Sequence, residues 1–250
     1  NSIGASFGAN DYFRANFRLG KIFESTADRQ HAVLVYGNGA SDGGYKDESG
    51  FDQQKINVIH QYQNEQWSVK NVLAASNLNQ ETAGFITGEE AYKDGSLKKQ
   101  NPNPEAYRDS QSFRAYSEID FQLNEQTLLS FTPYVRFTDM EFLQHYLPWQ
   151  PVEENSQKGV GFKFKVAKNL EFSGYNLTWF AGLDGDFTEG SLTETQLTPF
   201  APTLPQGEHY DYTVDASVIS PYSQLQWAVS DKLGLTAGVR FDMTRFDYQN

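Results

Sequence analysis

Between residues 113 and 123 the chain alternates without error: Phe113, Ala115, Ser117, Ile119, Phe121 and Leu123 interleave with Arg114, Tyr116, Glu118, Asp120 and Gln122. A period of two belongs to a strand with one apolar face and one wet face. After the turn-forming stretch 124–127, Leu129, Phe131, Pro133, Val135 and Phe137 fall on one side and Ser130, Thr132, Tyr134, Arg136 and Thr138 on the other. The two runs read as a hairpin whose faces agree. The same alternation recurs over 13–20, 159–166, 175–184 and 235–242, and less regularly near 32–36, 56–62, 67–74 and 222–229, for about eleven strands in all.

The connections alternate as well. Short ones are expected at 24–29, 64–66, 124–127, 167–169 and 230–233, and long ones at 40–53, 76–111, 139–158 and 188–212; the first hairpin tip, near 9–11, is short although it falls on the long-loop side. Hydrocarbon leaves backbone N–H and C=O groups unsatisfied, so only helices and closed barrels cross a bilayer, and barrels have short turns on one side and long loops on the other. The fold class expected is all-β, an antiparallel transmembrane β-barrel with turns toward the periplasm and loops toward the cell exterior. A soluble β-rich sandwich or propeller, the rival, has short connections at both ends, and connections beyond roughly 12–15 residues are uncommon in compact domains. Bacterial single-chain barrels have even strand numbers, so about eleven strands correspond to half of a large barrel.

Composition fits a wall more than a core. Hydrophobic residues are 38% of the chain, mean hydropathy is -0.61, and no apolar run is long enough for a spanning helix. Net charge is -12, which repels phosphate backbones and excludes nucleic acid as a partner. Cysteine is absent, so disulfides and thiolate metal sites are excluded. The chain begins at Asn1 without Met and stops inside a strand pattern, which reads as an excerpt of a longer, processed protein.

Little points to bond chemistry. His31, His60, His145 and His209 are scattered, no H-E-x-x-H or G-x-S-x-G occurs, and neither an enzyme, a resident metal nor a cofactor is expected. The acidic stretches 41–48 and Asp184-Gly185-Asp186 carry oxygen ligands for loop calcium without the spacing of a calcium loop, and read as solvated loop acids. Residues 139–151, with His145, Tyr146 and Trp149 beside Pro148 and Pro151, form either a stiff exposed binding surface or a loop folded inward onto its neighbours. Phe85, Tyr92 and Tyr107 in one further loop, and His209 and Tyr210 in another, complete the candidate ligand-binding residues. Aromatics with a few cations suit an anionic ferric chelate.

Three stretches resemble the amino-terminal part of the barrel of TonB-dependent outer-membrane receptors: NSIGASFGANDYFRANFRLG (1–20), GNGASDGGYKDESGFD (37–52) and SPYSQLQWAVSDKLGLTAGVRFD (220–242). AYKDGSLKKQNPNPEAYRD (91–109) and FLQHYLPWQPVEEN (142–155) are similar to loops of such receptors. The resemblance implies a twenty-two-stranded barrel, plugged by an amino-terminal domain, in the outer membrane of a Gram-negative bacterium. The whole of 1–250 is then partial barrel with no plug domain.

Further implications of the resemblance concern partners and sites. It implies uptake of a small-molecule cargo, most often a ferric siderophore, with lipid and lipopolysaccharide, the plug and the TonB energy-transducing complex as partners. The loop NPNPEAY lacks the histidine of haem-binding members, so haem is disfavoured. Arg14, Arg18, Arg114, Glu118, Asp120, Arg136, Lys163, Lys165, Arg240 and Asp242 become lumen-wall residues. The alternatives are a complete small barrel acting as a passive pore or surface hydrolase, and a soluble β-rich binding domain.

Overall fold

A wall that meets lipid must pair its own backbone polar groups, and this chain does so in one continuous ladder. The structure, a computed structural model, describes residues 1–250 apart from Ala27, Ser173 and Asp231. Its strands are β1 (Ser2–Phe7), β2 (Phe13–Ser25), β3 (Arg29–Asp42), β4 (Phe51–Asn64), β5 (Trp67–Glu81), β6 (Tyr107–Asn124), β7 (Thr127–Leu143), β8 (Val152–Phe172), β9 (Tyr175–Gln196), β10 (Gly207–Ser230), β11 (Leu233–Arg240) and β12 (Met243–Gln249). All twelve form a single sheet in chain order, with β12 pairing β10. Every pairing is antiparallel.

The expected count of about eleven survives in physical terms. Arg240 lies opposite Tyr222 and Met243 opposite Ile219, so β11 and β12 keep one register against β10. The interruption faces Pro221, which has no N–H to offer the ladder. In the first hairpin Asn10 and Asp11 both take φ 58, and the Gly8 N–H donates to the Tyr12 carbonyl at 3.0 Å. Two left-handed residues at a hairpin tip match the twist of the flanking strands.

The short turns at 65–66 and 125–126 fall where expected, closed by Asn64 and Asn124 side chains that accept from backbone N–H groups two or three residues on. The tips of the expected turns at 24–29 and 230–233 include Ala27 and Asp231, which lie outside the described residues. The turn expected at 167–169 is wrong: β8 runs on to Phe172 and β9 begins at Tyr175. Leu170 and Phe172 prolong the apolar face opposite Leu177 and Tyr175, and the Phe172 ring meets Trp227 at 5.4 Å. That packing outweighs the turn chemistry of Lys168 and Asn169.

The long connections are shorter than expected, spanning 43–50, 82–106, 144–151 and 197–206. Tyr107, His209 and Tyr210 are therefore strand residues rather than loop residues. Above the apolar belt both faces meet water, so the period-two contrast fades while backbone pairing continues. Lys158, Glu189 and Asp215, paired side by side on the outward face, mark that zone.

Leu19, Val35, Val58, Leu73, Ala115, Val135, Val160 and Phe187 form one crosswise row of the outward face. Among the described residues the buried apolar cluster is small, Ala106, Leu143 and Val152 with Tyr107 against it. The apolar side chains instead cover an outer surface, as a transmembrane wall requires. Phe131→Arg on that surface should cost about 2–4 kcal/mol in chemical unfolding from lipid vesicles, and Thr132→Arg on the other face far less; equal losses would contradict the assignment of faces.

Candidate functional site

The wet face of the wall carries three adjacent crosswise rows on β2–β7. The first holds Arg14, Ala40, Gln53, Leu78, Ser110 and Met140; the second Asn16, Asn38, Lys55, Ser76, Ser112 and Thr138; the third Arg18, Tyr36, Asn57, Ala74, Arg114 and Arg136. Five cations and no carboxylate occupy this patch of a chain whose net charge is -12. Among the described residues Arg14, Arg18, Lys55 and Arg114 make no ion pair. The patch is a basic band at mid-height on the lumen wall.

Arg136 stands directly opposite Arg114, an unfavourable cross-strand pair unless one charge is compensated. Compensation comes from two strands away. Arg136 donates to both oxygens of Asp186 on β9, at 2.8 and 2.9 Å, and to the Thr188 hydroxyl at 2.7 Å. The Tyr134 hydroxyl donates to the same carboxylate at 2.5 Å. These side chains lie flat across β8 because Gly159 and Gly161 leave the floor open: a Cβ at Gly161 would stand 2.3 Å from the Tyr134 hydroxyl and 2.6 Å from the Gly185 carbonyl.

The same device operates from the other side of β9. Tyr222 lies over Gly182, where a Cβ would meet its ring at 2.3 Å, and Arg240 reaches across β10 to Asp184 at 2.7 Å while bonding Asp242 at 2.8 Å. Asp184 and Asp186 are thus clamped by arginines from opposite directions. The expectation that this pair sits on an outer loop is corrected: both are lumen-facing residues of β9. Nearer the short turns, Lys70 pairs with Glu118 at 3.2 Å, and Asp120, Lys163 and Lys165 share the wet face.

At the long-loop end the eight candidate ligand residues divide. Phe85, Tyr92, Tyr146 and Tyr210 are 78%, 69%, 61% and 57% exposed and present aromatic surface to solvent. The other four hold structure. The Tyr107 hydroxyl donates to Glu141; His145 Nδ1 is 3.4 Å from the Thr82 hydroxyl; His209 contacts the Pro205 carbonyl at 2.8 Å. The Trp149 carbonyl accepts from the buried Gln196 amide at 2.5 Å, and its ring lies 6.2 Å from that of Phe200. Of the two readings of residues 139–151, the inward-folded loop describes Phe142, Leu143, Gln144 and Pro151, which are buried, whereas Tyr146 stays outside.

The loops also fasten to each other. Lys46 Nζ donates to the Gly84 carbonyl at 2.6 Å, the Asn101 amide to the Glu48 carbonyl at 2.8 Å, and Gln150 Nε2 to Glu105 at 2.9 Å. The carboxyl of Glu105 is held below its ordinary range, chiefly by its own backbone N–H, with help from Gln150, Asn103 and the charge of His145.

Sequence reading missed the role of Gly159-Val160-Gly161 and the neutralised Arg136; an inward glycine pair beside long polar residues was the available signal. No protein-family model matches the sequence, and no curated protein matches it. Solved structures do share the architecture. The ferric citrate transporter FecA in its unliganded form aligns with TM-score 0.77 and 12% identity, over 99% of this chain and 37% of that one. The chain has the barrel-wall fold of TonB-dependent siderophore receptors. BauA, the ferric preacinetobactin receptor from Acinetobacter baumannii, aligns at 0.77 with 10% identity over 98% of this chain and 41% of that one. The ferripyoverdine receptor of the outer membrane of Pseudomonas aeruginosa, bound to ferripyoverdine, aligns at 0.80 with 8% identity over 99% and 37%. The chain therefore spans about two fifths of the length of these solved structures.

Two outcomes follow from this wall. Gly161→Ala should cost about 1–3 kcal/mol, because the new methyl meets backbone as well as the Tyr134 hydroxyl; the midpoint of thermal unfolding in micelles measures it. A lowered carboxyl stabilises the folded loops above its ordinary titration range and loses that contribution as pH falls through the lowered value. Protease protection of the 82–106 and 144–151 loops should therefore hold at pH 5 and weaken below about pH 4, and Glu105→Gln should remove that dependence.

Proposed function

We propose that this chain is part of the wall of an outer-membrane receptor that takes up a ferric siderophore in a Gram-negative bacterium. The observation that carries the reading is the basic band of Arg14, Arg18, Lys55 and Arg114, set on the lumen face below the exposed aromatics Phe85, Tyr92, Tyr146 and Tyr210. Ferric chelates of catecholate or carboxylate type are anionic and carry flat polarisable donors. Aromatic rings at the rim offer stacking surface, and a cluster of cations on the wet face attracts the anion inward. The fold shared with ferric-chelate receptors supports the same reading.

The work implied is binding and passage rather than bond chemistry. The outer loops capture cargo; a plug domain and the TonB energy-transducing complex are the proposed partners that gate and drive its transit. Lipid and lipopolysaccharide surround the outward face.

A deletion strain tested on a panel of iron chelates should lose growth on at least one, and the full gene should restore it. Arg114→Glu should lower that uptake about tenfold, one charge reversal in a confined site being worth on the order of 1–2 kcal/mol, with barrel assembly intact by heat-modifiable gel mobility. Tyr146→Ala should weaken cargo affinity without changing assembly. Growth on every iron source without the gene would sink the proposal.

A further inference from the structure

A polar row crosses the face that otherwise meets hydrocarbon. Lys21 of β2 lies opposite Val33 of β3, Val33 opposite His60 of β4, His60 opposite Asn71 of β5, and Asn71 opposite Ser117 of β6. The apolar row Leu19, Val35, Val58, Leu73 and Ala115 runs directly above it. Below Asn71 and Ser117 the wall is apolar again, with Val69 and Ile119. His60 Nδ1 and the Asn71 amide are 2.8 Å apart, and the Ser117 hydroxyl donates to Asn71 Oδ1 at 2.5 Å. Beside them His31 meets His60 edge to face at 5.1 Å and Phe23 at 4.8 Å, with Tyr62 at 6.2 Å.

Polar side chains turned toward hydrocarbon are costly unless they meet partners. The hydrogen bonds inside the row use His60 Nδ1, one Asn71 N–H and the Ser117 hydroxyl. They leave the Nε2 edge of His60, the His31 ring, the second Asn71 N–H and the Lys21 ammonium turned outward. Nearly all of these are donors, and Lys21 is a cation on an acidic chain. Strands in such walls tilt by roughly 35–45°, so a crosswise row descends through the membrane. Its Lys21, His31 and His60 end lies close to the short turns at 26–28 and 65–66, at headgroup depth, while Ser117 stands further up β6 from its turn at 125–126.

We propose that this row is a seat for one phospholipid of the leaflet on the short-turn side. Its phosphate accepts from Lys21, His31 and His60 Nε2 across the floor made by Val33. A glycerol ester carbonyl accepts from the Asn71 amide, and the acyl chains lie along Val58, Leu73 and Ala115, toward the bilayer centre. Anionic headgroup, ester oxygens and apolar chains occur in that order in one molecule, and the row presents cation, amide and apolar wall in the same order.

The test is native mass spectrometry of the full chain in micelles carrying dioleoylphosphatidylglycerol. One lipid per protein should be retained, and the Lys21→Ala/His60→Ala double variant should lose retention about five- to tenfold, as expected for surface-charge contacts to a lipid headgroup. Lys163→Ala, on the lumen face, should leave it unchanged. Dioleoylglycerol, which lacks the phosphate, should not be retained, and inorganic phosphate should not compete. Should the double variant fail the heat-modifiability check, Lys21→Ala alone decides. Equal retention by variant and parent, retention of dioleoylglycerol, or a photo-crosslinker replacing Val33 that captures only protein would each overturn the proposal.

Discussion

Backbone pairing in a medium without water is the constraint on which the rest of this structure depends. Inside hydrocarbon an unpaired N–H or C=O costs several kcal/mol, of order the whole stability of a typical domain when a few are left open. The sheet therefore runs in chain order from β1 to β11 without a crossover. Irregularity is permitted where a side chain or water can substitute. Pro221 interrupts the ladder where the last strand passes from β11 to β12, and the Phe241 N–H still reaches its carbonyl at 3.0 Å.

Once the backbone is spoken for, side chains divide between two solvents. The outward face takes the apolar set, and the wet face holds the charges, many of them half-exposed. The clamp on β9 is how this wall holds them. Asp184 and Asp186 each receive an arginine from two strands away, which is possible because glycines or small residues lie beneath the crossing side chains. A bidentate guanidinium–carboxylate pair with extra hydroxyl donors repays the desolvation that a partly buried ion pair incurs. The clamp lies in the β7–β11 sector, whereas among the described residues Arg14, Arg18, Lys55 and Arg114 of the β2–β6 sector make no ion pair.

Much of this was legible in the sequence, for a definite reason. Phe113–Leu123 alternates cleanly because it crosses the zone where the two faces meet different solvents. Where both faces meet water the signal disappears, so β7 beyond Thr138 and β10 up to Tyr212 read as loop although their pairing continues, with one bulge between Glu208 and Tyr210. The turn at 167–169 failed for the opposite reason: Lys168 and Asn169 look like turn residues, yet strand packing around Leu170 and Phe172 prevailed. Which residues share the wet face was legible from parity alone. Which of them are neutralised was not, because a partner two strands away can be 50 residues distant in sequence, as Asp186 is from Arg136. The outer aromatics were visible as a set, but exposure separates Tyr146 from Trp149 only once Gln196 is seen to hold the Trp149 carbonyl.

The acidic chain and the basic band are compatible because they act at different ranges. Salt screens exposed charges beyond about 8 Å at physiological ionic strength, so the -12 of the whole chain is felt weakly by an approaching ligand at distance. On the wet face Arg14, Arg18, Lys55 and Arg114 stand within three adjacent rows that hold no carboxylate, so the field close to the wall is positive there although the chain as a whole is negative.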